Sequence, residues 1–481
     1  MLIDGMLLGL MIVMKLIGIP VSIRLCYFAA ILLFLAIRVT SKPEYMSPLS
    51  WFTSAWLVVG GAYFTEFLEY SDDSKNTTAI VYLTLQSVCL VWGFTVGNRG
   101  ARRKTSLIDR YSLLCARLLP KTQNVITLAA LLGFVGACFF VVEMVYNNGA
   151  SLANEYDIRD LYSSKQTSIF GQIAAVLLPG GYIALCGAVF YGNAVARRVR
   201  MLWIVAALST IVNDLLSGGR QVTLQLSMLF LIAAAIRRAV TEKQKVTARS
   251  VGYRILSLIG VLAFLLYASY VALNRNYSIQ AKYPAMLAIF GASVNPESED
   301  MFYRLPDDGK EIAIVSYLYL TNSVANFQGD YKIKFSKMGY GLYLNPFVAR
   351  RLASVIPGVR TVEVATEDAA RDLEEAGVFS KGFHTASGSL LGEFGKFGSL
   401  LFAWVLGVSF GKCHKRFIAK PTLGRCIAVA TACLVALYFP MAWAGADTTI
   451  LFMAIGAGLL QFAESKWEQQ SVLQSRLVAG L

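Results

Sequence analysis

Long runs of apolar residues, separated by short polar connections, cover most of this chain. A helix needs about 20 predominantly apolar residues to cross the hydrocarbon core of a bilayer, and many of the runs reach that length. The pattern therefore predicts an all-α polytopic membrane protein with about twelve transmembrane helices rather than a soluble protein with one core. The predicted spans lie near residues 3–19, 22–38, 49–67, 77–97, 123–145, 168–193, 201–216, 221–236, 255–273, 385–410, 424–441 and 446–463.

The connections between the predicted spans differ in charge on the two sides of the membrane. The formal net charge is +14, and the basic excess is concentrated in four connections that the twelve-span arrangement puts on one side. Cytoplasmic loops are enriched in lysine and arginine, so this side is predicted to be cytoplasmic, with both termini on it. We therefore interpret the positive charge as orienting the protein in the membrane and interacting with anionic lipid headgroups. It does not indicate nucleic-acid binding. The basic connections are 98–122, 195–200, 237–254 and 411–425.

One connection on the opposite, exported side is far longer than the others. Residues 274–384 exceed the ~15 residues beyond which loops usually carry structure or function. We therefore expect three parts in the chain. The first, 1–273, holds about nine transmembrane helices, and the second, 274–384, is a periplasmic loop domain. The third, 385–481, holds about three transmembrane helices and a cytoplasmic tail.

The exported segment is predicted to be helical. Residues 311–328 are apolar but short for a span, which favours a helix that lies in the membrane interface or dips into it. Asn345-Pro346 is a typical helix start, because a capping side chain precedes a proline. Residues 363–376 are acidic and helical in pattern. The many aromatic residues of the segment fit either an interfacial belt or a groove for sugar rings or a lipid chain.

Several kinds of chemistry are disfavoured by what the sequence lacks. All eight cysteines fall in predicted spans or cytoplasmic loops, so the exported segment is not a disulfide scaffold. With only two histidines, a histidine-based zinc site is nearly excluded. The sequence has no GxxxxGK[ST] loop and no DxD motif, and so shows no sign of using ATP or a metal-held nucleotide sugar. We therefore expect no metal and no cofactor.

The turn Ser217-Gly218-Gly219-Arg220-Gln221 joins two apolar runs with almost nothing between them. The two glycines permit a tight turn with open backbone N–H groups, and Arg220 would lie at the exported membrane–water boundary. A guanidinium beside free N–H donors suits a phosphate or pyrophosphate. The alternative is an arginine that snorkels to the interface, although an exported arginine runs against the topological bias.

Other exported arginines are candidates for the same anion site. Arg275 directly follows the predicted span that ends near residue 273, so it is also held at the membrane boundary, where a lipid-linked pyrophosphate must lie. Each of the remaining arginines, taken singly, fits a solvated surface charge. The additional candidates are Arg159, Arg304 and Arg351, whereas Arg371 is expected to matter little.

His384 is the one histidine predicted to lie outside the cytoplasm. It stands between the exported segment and the next apolar helix, which carries Glu393 about two turns further on. A group that titrates near neutral pH, beside a carboxylate at a membrane mouth, is a candidate for acid–base chemistry. His384 could instead cap or pack the helix. Three other acids in predicted spans, Asp214, Asp447 and Glu143, lack a neighbouring histidine.

These residues resemble those of a known family. The Ser-Gly-Gly-Arg-Gln turn is similar to the small-Gly-small-Arg turn of the bacterial oligosaccharide repeat-unit polymerases (the O-antigen polymerases, or Wzy proteins). The stretch from His384 to Gly398, which contains Leu-Gly-Glu-Phe-Gly, resembles their histidine-containing loop and the glycine-rich helix after it. The order along the chain also matches, and the resemblance covers mainly residues 200–410. The chain departs from the commoner pattern in lacking a proline and an asparagine after the histidine.

The resemblance implies a membrane-embedded glycosyltransferase of the GT-C class. The donor would be a growing glycan on undecaprenyl pyrophosphate, and the acceptor would be a single repeat unit on the same carrier. The reaction would run without a metal at the periplasmic face of the bacterial inner membrane. Arg220 and Arg275 would hold the donor pyrophosphate, and His384 would be the base, with Glu393 near it. A polysaccharide chain-length regulator would be a candidate partner.

Two other functions remain open from the sequence. An O-antigen ligase shares the chemistry and differs in its acceptor. A flippase or transporter of lipid-linked oligosaccharides would use the same arginines to carry the pyrophosphate, but such proteins usually have duplicated halves, and the sequence shows none.

Overall fold

Helices make up most of the computed structural model, as the apolar runs predict. The structure describes residues 2–41, 43–71, 76–100, 107–147, 168–217, 221–241, 284, 287–288, 290–298, 306–333, 335, 337–356, 361–375 and 385–479. The helices are α1 Leu2–Leu16, α2 Val21–Ser41, α3 Pro48–Thr65, α4 Thr77–Asn98, α5 Leu107–Val142, α6 Ile169–Leu177, α7 Pro179–Tyr191, α8 Arg197–Ser209, α9 Val212–Ser217, α10 Gln221–Thr241, α11 Asp307–Asp330, α12 Pro346–Val355, α13 Val362–Glu375, α14 Ala386–Ala419, α15 Leu423–Tyr438 and α16 Thr448–Ala479.

A helix is present at every predicted span that the described residues cover, and only 255–273 lies outside them. Within the described part, seven helical segments are long and apolar enough to cross a membrane. The shorter apolar helix α15 brings a further apolar element to the bundle. The chain is therefore a helical membrane protein, and the count of twelve spans stays a prediction.

Helix boundaries differ from the predicted ones where charged residues continue a helix beyond its apolar run. Helix α5 begins at Leu107, inside the connection predicted for 98–122, and contains Pro120. Helix α14 continues to Ala419, well past the predicted end near 410. Lysine and arginine are good helix formers, so a helix does not need to stop where its apolar run stops.

The predicted span near 168–193 consists of two helices. Helix α6 ends at Leu177, and α7 begins at Pro179, with Leu178 between them. Proline has no backbone N–H to continue the hydrogen-bond ladder of a preceding helix but fits the first position of a new one.

Two short strands depart from the all-α expectation. Strand β1 (Leu68–Tyr70) pairs antiparallel with β2 (Ala292–Val294), and Leu68 lies opposite Val294. The pair fastens the segment predicted to be exported to the connection that follows α3. Helix α11, predicted for the membrane interface, packs against α3. Its buried face, including Ile314 and Leu318, shares an apolar cluster with β1.

Contacts between connections agree with the predicted sides of the membrane. Lys415 donates a hydrogen bond to the carbonyl oxygen of Arg99 at 2.8 Å, and the sequence predicts a cytoplasmic position for both. On the other face, the backbone N–H of Asn76 donates to Gln328 Oε1 at 2.7 Å, and both are predicted to be exported. Which face is cytoplasmic stays a prediction.

Among the described helices, α4 and α14 make the most extensive contact, and they run parallel. Each helix presents two glycines four residues apart. A Cβ at Gly407 would lie 2.1 Å from the carbonyl oxygen of Leu90, and one at Gly93 would lie 2.1 Å from that of Trp404. Small residues at this spacing let two membrane helices approach backbone to backbone. The position of α14, which carries Glu393, is therefore set by glycines. The four glycines are Gly93 and Gly97 on α4 and Gly407 and Gly411 on α14.

Candidate functional site at the mouth of the bundle

The connection between α15 and α16, residues 439–447, stands at the centre of a polar region on the predicted exported face. It is tightly folded, with a short 3₁₀ turn at Ala444–Ala446. The backbone N–H of Met441 donates to Tyr438 O at 2.8 Å, and that of Asp447 donates to Ala444 O at 3.1 Å. We call this connection, together with the first turns of α10, α14 and α16, the mouth.

Asp447 collects hydrogen bonds from two helices. Its Oδ2 accepts from Gln221 Nε2 at 2.7 Å and from Gln225 Nε2 at 2.6 Å, both on α10. Its Oδ1 accepts from the backbone N–H of Thr449 at 2.7 Å, which caps α16. The network extends to α7, because the Tyr182 hydroxyl donates to Gln225 Oε1 at 3.1 Å.

Asp214 links the two helices that flank the predicted anion site. It is 3% exposed and lies in α9, just before that turn. Its Oδ2 accepts from the backbone N–H of Thr223 at 2.6 Å, and its Oδ1 accepts from that of Val222 at 3.2 Å. A carboxylate that satisfies the first N–H groups of a helix caps it and favours its dipole. The end of α9 is thus tied to the start of α10.

The first turn of α14 is anchored at the same connection. Thr385 is fully buried, and its Oγ1 accepts from the backbone N–H of Gly388 at 3.0 Å. The next residue, Ala386, donates its N–H to the carbonyl oxygen of Phe439 at 3.1 Å. The beginning of α14 and the beginning of α10 therefore both contact residues 439–447.

Most of the predicted site residues lie outside the described residues, but the chain neighbours of two of them, Arg220 and His384, lie at the mouth. Gln221, the residue after Arg220, donates a hydrogen bond to Asp447. Thr385, the residue after His384, caps the first turn of α14, and the N–H of Ala386 in that turn donates to Phe439. Outside the described residues are Gly218, Gly219, Arg220, Arg275, Arg159, Arg304 and His384.

Glu393 is a buried carboxylate, as predicted, and it holds a loop of the exported segment. It is 8% exposed, and its Oε2 accepts from the backbone N–H of Gly341 at 2.9 Å. Its own carbonyl oxygen accepts from Tyr340 N at 2.8 Å. Helix α14 is broken just beyond it, where Gly395 has a φ of 64° that favours glycine. Irregular backbone of this kind in a membrane bundle is expected only where protein or a cavity surrounds it.

Residues 338–356, which we call the strap, belong to the predicted exported segment and cross the mouth from α14 to α6. Beyond its contact with Glu393, the strap is also bound to the connection 439–447. The indole Nε1 of Trp443 donates to Leu344 O at 2.9 Å, and Asn345 Nδ2 donates to Gly445 O at 2.8 Å.

Arg351 lies at the far end of the strap. Its guanidinium donates a hydrogen bond to Gln172 Oε1 on α6 and lies 5.5 Å from the ring centroid of Phe347. It is exposed and contacts α6 rather than the connection 439–447. Arg371, expected to matter little, pairs with Asp368 at 2.5 Å on α13.

Sequence reasoning named Asp447 only as an acid without a histidine, and it missed Gln221, Gln225 and Tyr182, which form the hydrogen-bond network around Asp447. A signal was present, since Gln221 and Gln225 are four residues apart and so share one face of an otherwise apolar helix. Within the described residues, no group of three or more metal-binding side chains occurs.

The fold thus belongs to the class of polytopic helical membrane proteins, with a polar mouth at one end of the bundle. Comparison with protein-family models, with curated proteins and with solved structures finds no match to this chain.

Proposed function

We propose that the protein is a membrane-embedded glycosyltransferase that polymerises lipid-linked oligosaccharide repeat units on the exported face. The observation that carries the proposal is the convergence at residues 439–447. The residue after Arg220 and the helix turn after His384 are bound to the same short connection. The arginine turn and the histidine, 164 positions apart in the chain, are thereby flanked by one structure.

In the proposed reaction, the hydroxyl oxygen of the acceptor sugar attacks the anomeric carbon of the donor glycan. The bond from that carbon to undecaprenyl pyrophosphate breaks, and the pyrophosphate leaves with the electron pair. Arg220 and Arg275 stabilise the negative charge that develops there, since preorganised cations act most strongly on charge formed in the transition state. His384 takes the proton of the attacking hydroxyl, because its pKa in water lies near the working pH.

Glu393 has a positioning part in this proposal. Its carboxylate and carbonyl oxygens bind the strap, which crosses the mouth that the substrates would enter. The strap is also held by Trp443 and Asn345. Closing a reaction centre in this way orients the acceptor and keeps water from competing with it. Glu393 therefore acts through the strap, and His384 keeps the role of base.

The wider setting follows the same proposal. The substrates are undecaprenyl-pyrophosphate-linked oligosaccharides, the membrane is the bacterial inner membrane, and the mouth faces the periplasm. A GT-C-like arrangement of about twelve spans would place the lipid carrier in the bilayer and its saccharide in the mouth. A chain-length regulator is the proposed protein partner.

A reconstituted assay tests the proposal. Purified protein in liposomes, given repeat units on undecaprenyl pyrophosphate, should make a ladder of polymers, with and without a chelator. Arg220→Lys keeps the charge but loses the planar fork, so polymerisation should fall sharply. The matched control is Arg371→Lys, which should polymerise normally. Normal ladders from Arg220→Lys would refute the anion site.

The products separate the proposal from its alternatives. Transfer of glycan to lipid A core, without polymer on the lipid carrier, would identify a ligase. Movement of intact lipid-linked saccharide across the bilayer, with no new glycosidic bond, would identify a transporter. Loss of wild-type polymerisation in the chelator would refute the metal-free reaction.

A further inference from the structure

The first residues of the strap and the break in α14 fit together as one unit. We call residues 338–341 of the strap the latch. Three successive N–H groups of the latch donate hydrogen bonds to α14. Gly339 N donates to Gly392 O at 3.4 Å, Tyr340 N to Glu393 O at 2.8 Å, and Gly341 N to Glu393 Oε2 at 2.9 Å.

The two carbonyl oxygens are acceptors that an unbroken α-helix would use within itself. In such a helix, Gly392 O and Glu393 O accept from the N–H groups four residues further on, those of Lys396 and Phe397. Gly395 lies between them with φ 64° and ψ −175°, which is far from helical. The latch therefore supplies donors at the point where the helix is interrupted, so the break and the docked latch belong to one conformational state.

Both partners hold a backbone conformation that costs free energy. Gly395 lies in a region that is essentially restricted to glycine. Tyr340, with φ 53°, and Gly341, with φ 87°, both lie in the left-handed region, which a tyrosine rarely adopts. The side chain of Tyr340 is 77% exposed, so packing of its ring does not hold it there. The hydrogen bonds between latch and helix offset this strain, and release of the latch would relieve it on both sides.

The rest of the strap is held by separate contacts. Leu344 and Asn345 are bound to the connection 439–447, and Arg351 is bound to α6. A 3₁₀ turn at Leu342–Leu344 joins the latch to these anchored residues. Because none of the anchoring contacts involves the latch, the latch can leave α14 while the remainder of the strap stays across the mouth.

We propose that the latch and Gly395 form a two-state switch at the mouth. In the docked state, which the structure shows, the latch is bound and α14 is broken. In the released state, Gly395 is helical, and the N–H groups of Lys396 and Phe397 take over the two carbonyl oxygens. Each carbonyl oxygen has a donor in both states, so the exchange leaves no backbone acceptor unpaired beside the membrane.

The switch stands where it can control entry from the membrane. Met338 and Tyr340 on the latch, and Phe397 just beyond the break, are large side chains with exposed fractions of 42%, 77% and 82%. In a bilayer, a surface of this kind faces the lipid or its interface. The released latch would open the mouth on that side to a lipid-linked saccharide, and the docked latch would close over it. The identity of this ligand rests on the proposed function, whereas the exchange of hydrogen bonds does not.

Hydrogen–deuterium exchange of the protein in nanodiscs tests the switch, because the exchange rate of a protected amide reports the population of its open state. Gly395→Ala disfavours the docked state, since alanine avoids the glycine-only conformation and prefers the helix. The protection factors of the amides of residues 339–341 should fall by about 5-fold to 150-fold. Those of the amides of Lys396 and Phe397 should rise, because these groups gain helical partners.

The matched control is Gly392→Ala, three residues earlier in the same helix. An added Cβ there would lie 3.6 Å from the ring of Phe335, which is an ordinary contact, and its carbonyl oxygen is retained. This variant should leave the protection of the latch and of residues 396 and 397 as in the wild type.

Gly341→Ala tests the switch from the other partner. Its φ of 87° disfavours alanine, so the latch should again exchange faster. No residue of α14 is changed, and a gain of protection at residues 396 and 397 would therefore come through the switch. Faster exchange of the latch without that gain, in both variants, would overturn the proposal, as would wild-type exchange in both.

A ligand measurement separates the switch from the proposed function. Repeat units extracted from a strain lacking this gene, added at saturation, should raise the protection of the latch in the wild type. An unchanged latch would overturn the control of entry. A wild type whose variants show the reciprocal exchange, but which makes no polymer in liposomes, would refute the proposed function and leave the switch in place.

Discussion

Replacing Gly407 by alanine should loosen the helix pair on which the mouth is built. A Cβ at this position would lie 2.1 Å from the carbonyl oxygen of Leu90, whereas an ordinary contact begins at 3.4 Å. The shortfall is 3.4 − 2.1 = 1.3 Å. The obstacle is backbone, and no side-chain rotation can relieve it, so α14 must move away from α4 by about that amount or bend.

The free energy of that movement has two opposing parts. Overpacking of a tight interface costs about 1–3 kcal/mol, and more where backbone must shift along a whole helix. Alanine is the better helix former by about 1 kcal/mol, which offsets part of the cost. The shift is large and the same pair also meets at Gly93, Gly97 and Gly411. We therefore take the upper part of the overpacking cost, about 2–3 kcal/mol, which the helix preference of alanine reduces to a net destabilisation of about 1–2 kcal/mol.

The measurement is the melting temperature of purified protein in detergent, obtained from the fluorescence of the size-exclusion peak that remains after heating. The matched control is Gly458→Ala on α16, where an added Cβ meets nothing within 4 Å. This control should melt at or slightly above the wild-type temperature, because alanine favours the helix. A Gly407→Ala protein that melts with the control would show that α4 and α14 do not pack as closely as described. Polymer formation should fall with stability, since α14 carries Glu393 and begins at the mouth.

Three further predictions concern the site and its orientation. His384→Ala should insert normally and bind donor but polymerise about 10²–10⁴-fold more slowly in the liposome assay, and near-normal turnover would assign the base elsewhere. Glu393→Gln should keep most activity, because an amide oxygen still accepts from Gly341, whereas Glu393→Ala should lose it; equal loss in both would make the carboxylate a reacting group. Reporter fusions at Lys243 and Lys337 should give opposite signals, and the same sidedness at both would overturn the topology.

The helical spans could be predicted from the sequence because the bilayer imposes one dominant requirement, a run of apolar residues long enough to cross it. Local helix starts were also predictable. Asn345-Pro346 was expected to begin a helix, and Asn345 Oδ1 does accept from the backbone N–H of Val348 at 3.2 Å. Capping of this kind depends on residues three positions apart, so the signal is contained in a short stretch.

Pairings between distant elements could not be predicted in the same way. Gly93 and Gly97 show the spacing of a helix interface, as do Gly407 and Gly411. The sequence of either helix does not indicate which other helix it packs against, and here the partner lies about 300 residues away. Strand β1 has only three residues, too few for an alternating pattern to stand out from the apolar background. Both features arise from tertiary contacts.

The candidate site was predictable by residue type but not by role. An acid within a predicted span indicates a site, because burying a charge is costly. The sequence cannot tell whether that acid acts on a substrate or on a backbone N–H. The carboxylate of Glu393 was expected beside a histidine, and the structure gives it Gly341 as a partner. Asp447 was named only as an acid without a neighbouring histidine, and the structure shows it accepting hydrogen bonds from α10 and capping α16.

Carboxylates meet the first N–H groups of three helices on the predicted exported face. Glu143 accepts from Ser168 N at 3.1 Å at the start of α6, Asp214 caps α10, and Asp447 caps α16. The N-terminus of a helix is by itself an anion site, but these N–H groups are already occupied, and the added negative charge opposes a phosphate. A pyrophosphate at the mouth would therefore depend on side-chain cations rather than on helix dipoles. This is why the guanidinium of Arg220, immediately before a helix whose first turn is capped, carries most of the proposed anion binding.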